Sequence, residues 1–78
     1  MIKVRNQELI NTLGIRVKAL RIHRGLSMEK LAELSDIDYR QIFNIEHGRT
    51  NATVSTLDAL CKGLDISLSE LFDTPTLK

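Results

Sequence analysis

Apolar residues in this chain recur at helical spacing, in short blocks separated by polar breaks. Leu9, Leu13, Val17 and Leu20 follow one another at intervals of four, four and three, one face of an amphipathic helix from about Glu8 to His23 or Arg24. Gly25 ends it. Gly14 lies inside this block, where glycine costs about 1 kcal/mol against alanine. It marks either the true helix start, capped by Asn11 or Thr12, or a close backbone approach. Residues 1–7 are polar and basic around isolated Ile2 and Val4, and read as an arm or as the start of a longer first helix.

The next block, Leu26 to Gly48, predicts two short helices joined by a tight turn. Ser27 is placed to cap the first, with Lys30 where a complete capping box needs an acid or amide. Leu31, Ala32 and Leu34 give that helix an apolar stripe. Ser35-Asp36-Ile37-Asp38 breaks it, and Asp38 is a good cap for a second helix from Tyr39 to His47. There Ile42 and Ile45 share an inner face, and Gly48 is the stop. Tyr39, Arg40, Gln41 and Asn44 are expected on the outer face. Their donor-rich or aromatic side chains suit base edges and phosphates, so the block reads as a helix-turn-helix.

Beyond a polar loop from Arg49 to Thr53, Thr53 caps a fourth helix from Val54 to about Leu64 that buries Leu57, Leu60, Cys61 and Leu64. Gly63 and Asp65 suit its end. Ser67 and Glu70 form a capping box for a last short helix carrying Leu68, Leu71 and Phe72, which ends before Pro75. The pattern is all-α: five helices on one core, with residues 1–7 as an arm, 8–73 as the domain and 74–78 as a tail.

Composition narrows this further. A chain of 78 residues holds one domain and buries only about 60–65% of its unfolded surface. Few aromatics and no hairpin-forming NG or DG pair argue against a β fold. No apolar run approaches membrane-spanning length and no secretory pattern opens the chain, so a cytoplasmic protein without a membrane partner is expected. Charge is uneven. Residues 1–26 carry six Lys and Arg against one Glu, net +5, and residues 27–78 carry five against nine acids, net −4. One surface is thereby expected to attract phosphate while another repels it, unless the basic side is simply a solvated helix face.

Catalytic and metal chemistry find little support. Cys61 has no second Cys for a disulfide or metal site and reads as a small core residue. His23 and His47 are too far from other ligand types to make a metal pair, and each suits a helix C-terminus. Asp36 and Asp38 are explained by capping, and no catalytic triad, Gly-rich phosphate loop or zinc spacing appears. No cofactor is expected.

The run GLSMEKLAELSDIDYRQIFNIEHGRTNATVSTLDALCKGLDISLSELF, preceded by LGIRVKALRIHR, resembles the Cro/repressor (Xre) family of helix-turn-helix transcription regulators. Gly25-Leu26-Ser27, Leu31-Ala32, Ile42, Ile45-Glu46, Gly48, Thr56-Leu57, Leu60 and Leu68 to Phe72 carry the match. The small size looks most like stand-alone phage repressors and the controller proteins of restriction–modification systems. The resemblance implies a lambda-repressor-like five-helix domain. The second helix would lie across duplex DNA with Ser27 and Met28 near the backbone, and the third would enter the major groove with Tyr39, Arg40, Gln41 and Asn44 toward the bases. Arg49, Thr50 and Asn51 would meet the sugar-phosphate backbone, and Arg21 with Glu46 would form a structural ion pair. Two departures stand out: Met28 replaces a common Gln and has no donor, and Ala52 replaces a common Pro.

These readings together imply a repressor or autoregulator that binds near-palindromic DNA as a homodimer. Its dimer interface is expected at Ile66, Leu68, Leu71 and Phe72, with Leu77 alongside. The alternative is a protein-interaction module of the same fold, an antitoxin, antirepressor or adaptor, with weak DNA reading. The four polar readers and the lack of an aliphatic hot spot on helix three favour DNA. Any protein effector is left unidentified.

Overall fold

A computed structural model describes residues 4–74, in the order α1 (Gln7–His23), α2 (Met28–Ser35), α3 (Tyr39–Glu46), α4 (Val54–Leu64) and α5 (Leu68–Leu71). The expectations placed on Ile2, Pro75 and Leu77 lie outside the described residues. Most caps sit where the sequence places them. Ser27 accepts from the Lys30 N–H, Asp38 from Arg40, Thr53 from Thr56, and Ser67 forms the full capping box with Glu70.

Helix α1 differs from its expected form in two ways. It is capped by Asn6, whose side chain accepts from the Leu9 N–H, so neither Asn11 nor Thr12 is a cap. Its inner face is also rotated. Ile10, Gly14 and Val17 are buried, while Leu9 is 43% exposed. The reason is Gly14. A Cβ there would collide with the Ile45 carbonyl oxygen and lie 3.0 Å from that of Glu46, so the smallest residue of α1 is the point where α3 presses against it.

The core is contiguous: Val17, Leu31, Ala32, Ile42, Ile45, Leu57, Leu60, Cys61, Leu64 and Leu71, with Leu13, Leu20 and Leu26 packed against it. Two helix pairs, α1 with α3 and α2 with α4, make the most extensive contacts. The stripe of α2 is Leu31, Ala32 and Ser35, and Leu34 is turned out at 47% exposure. Ser35 is buried because α4 passes it at Gly63, where an added Cβ would strike the Ser35 hydroxyl. That hydroxyl has no hydrogen-bond partner. Leu71 is fully buried in the chain's own core, which removes it from the expected dimer interface; Ile66, Leu68 and Phe72 remain half-buried.

Two cations of the basic first segment are bonded to helix ends within the fold, while Lys18 stays exposed. Arg16 donates to the carbonyls of Leu71 (3.1 Å) and Glu70 (2.8 Å), closing the end of α5. Arg24 donates to the Asp65 carbonyl at the end of α4, and its guanidinium also lies 3.9 Å from the Asp65 carboxylate. Cations placed this way complement the helix C-termini.

Candidate nucleic-acid interface

The turn between α2 and α3 is set by two aspartates with different tasks. Asp36 takes a left-handed conformation (φ 55°), from which its N–H reaches the Ala32 and Glu33 carbonyls and stops α2. The Ile37 N–H bonds the Ala32 carbonyl at 3.1 Å. Asp38 is extended and starts α3, accepting from the Arg40 N–H at 2.7 Å. Backbone and cap bonds thus define the end of α2, the turn and the start of α3.

A buried ion pair holds α3 against α1. The Arg21 guanidinium donates from Nε to Glu46 Oε2 at 2.7 Å and from Nη2 to Oε1 at 3.0 Å, a two-point fork. Its Nη1 donates to the Leu26 carbonyl at 2.8 Å, tying the α1–α2 turn into the same joint. The Glu46 side chain is 1% exposed and that of Arg21 11%. Hydrogen bonding to Glu46 raises the pKa of Arg21 above its already high ordinary value, with burial acting in the opposite direction. The guanidinium is therefore a permanent charge.

With Ile42, Ile45 and Glu46 turned inward, Tyr39, Arg40 and Gln41 are exposed on α3 and Asn44 is half-buried beside them. These four do not form one row. Tyr39, Arg40 and Asn44 run along the outer face. Gln41 borders a recess of about 110 Å³ shared with Thr50, Asn51 and Ala52 of the following loop. Around the recess Asn51 is exposed, whereas Thr50 and Ala52 are half-buried. Arg49 is exposed, and its N–H is anchored to the Asn44 carbonyl at 2.8 Å, just beyond Gly48 in its left-handed turn (φ 67°).

On α2 the Ser27 hydroxyl accepts from Lys30 and stays exposed at the helix start. The Met28 side chain is half-buried and packs in part against the core, and its thioether offers no donor. A second cluster escaped the sequence reading. The Phe43 ring stacks on the His47 imidazole, centroids 4.0 Å apart and 22° between planes, and the Arg49 guanidinium lies 5.4 Å from the Phe43 centroid. The aromatic pair at a spacing of four on a helix was the available signal.

These features define a helix-turn-helix protein, and residues 17–71 match the helix-turn-helix family model. The chain belongs to that family, in its Xre (Cro/repressor) branch. Among its relatives is the HTH-type transcriptional regulator PuuR of Escherichia coli, 39% identical over 62 residues, covering 80% of this chain and 34% of PuuR. This chain thus spans about a third of that curated relative's length. Two solved structures are closer in size. The restriction-modification controller protein C.AhdI from Aeromonas hydrophila aligns with TM-score 0.78 and 36% identity over 81% of this chain and 96% of that one. The controller protein C.Esp1396I, as a tetramer in complex with its natural 35 base-pair operator, aligns with TM-score 0.80 and 31% identity over 83% and 86%. Among the described residues no helix is long and apolar enough to cross a membrane, and no cluster of potential metal ligands occurs.

Proposed function

We propose that this chain regulates transcription by binding duplex DNA as a homodimer, with α3 in the major groove of a near-palindromic operator. The observation that carries this is the outer face of α3: Tyr39, Arg40 and Asn44 project from a helix whose opposite side is locked to α1 by the Arg21–Glu46 fork. Arg40 has the two donors that fit O6 and N7 of guanine, and Asn44 has the amide that fits adenine. Gln41, turned toward Thr50 and Asn51, belongs to the edge of the site. Ser27, Arg49, Thr50 and Asn51 take the sugar-phosphate backbone.

Pairing is part of the proposal because single modules bury only about 600–1,000 Å² on DNA. The operator complex of C.Esp1396I, a tetramer, supports multimeric binding in this branch. Ile66, Leu68 and Phe72 are the apolar side chains left partly open near α5. Phe72 also lines an apolar groove of about 160 Å³ with Leu9, Leu13 and Leu57. The protein is expected in the cytoplasm.

Selecting bound duplexes from a random library tests the reading. The expected outcome is an enriched palindrome with half-sites about one helical turn apart. Arg40→Ala should relax one base position and weaken binding by about 1–3 kcal/mol. A library that emerges without enrichment would overturn sequence-specific regulation and favour a protein partner.

A further inference from the structure

Phe43 is a half-buried aromatic that is absent from the core. Neither the buried cluster nor the residues packed against it include Phe43, and its ring meets His47 and Arg49 instead. The imidazole is itself fixed, since its Nδ1 lies 2.8 Å from the Phe43 carbonyl. Arg49 is held at its backbone by the Asn44 carbonyl, and among the described residues no carboxylate forms an ion pair with it.

A guanidinium is planar and carries all its N–H donors in that plane, so an aromatic ring held against its face leaves the donors unoccupied. An exposed arginine without such support samples many rotamers, and ordering it on binding opposes affinity. We propose that Phe43 is a positioning residue for DNA: its ring holds the Arg49 guanidinium by a cation–π contact and leaves its donors for a backbone phosphate. This rests on the DNA-binding reading above. The role adds no base specificity of its own. It explains why an aromatic stands on the outer side of a helix whose other outward residues are mostly polar.

The test is the salt dependence of affinity for a random-sequence DNA duplex, measured with the full chain. Phe43→Met keeps volume and removes the aromatic face, whereas Phe43→Tyr retains it. Phe43→Met should bind roughly two- to fivefold more weakly with a shallower salt slope. Phe43→Tyr should match the unsubstituted chain. Arg49→Ala should lower the slope by about one, and adding Phe43→Met to it should change nothing further. Losses that simply add in the double variant, or an unchanged slope in a Phe43→Met protein with normal melting, would overturn the assignment. If Phe43→Met fails to fold, weak binding by a well-folded Phe43→Tyr would overturn it equally. Absence of salt-dependent binding by the unsubstituted chain would overturn the DNA-binding reading itself, and this assignment with it.

Discussion

The α1–α3 and α2–α4 joints look alike in outline. Each is a close helix crossing with a glycine at the contact, Gly14 in one and Gly63 in the other. They differ in what faces the glycine. Gly14 meets the backbone carbonyls of Ile45 and Glu46, which cannot move without moving α3. Gly63 meets the side chains of Ser35 and Leu31, whose hydroxyl and methyl can rotate, with the Ser35 Cβ 3.2 Å from where an added Cβ would sit. They differ again in polar chemistry. The first joint contains a fully bonded ion pair, and the second contains one hydroxyl without a partner. The joint that fixes α3 is thus rigid and polar-locked, while the other is an apolar contact with some give.

Arg21→Ala breaks the comparison most strongly. It leaves the Glu46 carboxylate buried alone and should destabilise the fold by about 3–5 kcal/mol. A denaturant melt that shows no loss would mean that Glu46 escapes to water. Gly14→Ala comes next. Overpacking against backbone should place it at the upper end of roughly 1–3 kcal/mol, despite the gain in helix propensity of about 1 kcal/mol. DNA affinity should fall with it, because α3 must shift.

Gly63→Ala carries the same propensity gain against softer neighbours, so its net effect should stay within about 1 kcal/mol. Removing the Ser35 hydroxyl as well should recover part of any loss, and a double variant less stable than Gly63→Ala alone would contradict the proposed collision. Ser35→Ala by itself should be neutral or stabilising by up to about 1 kcal/mol, since it deletes an unpaired buried polar group. The smallest effect concerns reactivity. Burial, helped by the charges of Asp58 and Glu70, pushes the Cys61 thiol up from its ordinary pKa. It therefore stays protonated at neutral pH, and a thiol reagent should label it only as fast as the chain opens. Labelling kinetics in the Gly14 and Gly63 variants would rank the two joints independently of melting.

Local signals made much of this architecture legible. Ser27, Asp38, Thr53 and Ser67 announce helix starts because their side chains act within three residues of themselves, and the structure uses all four. Features set by distant partners were harder to read. Leu34 fits an apolar stripe by type, yet the stripe ends on Ser35 because α4 brings a glycine there. The face of α1 is centred on Gly14 rather than on its leucines for the same reason. Charge totals do not show which cations the fold itself uses: Arg16 and Arg21 of α1, and Arg24 just beyond it, are bonded within the fold, whereas Lys18 is exposed. The ion pair came from family resemblance, since 25 residues separate its partners.

The Gln7 side-chain amide donates to the Gly48 carbonyl at 2.7 Å and to the Asn11 side chain at 2.8 Å. This pins the first turn of α1 to the end of α3, next to the loop carrying Arg49. Loss of the Gln7 amide would therefore loosen the start of α1 and the end of α3 together, although 41 residues separate Gln7 from Gly48.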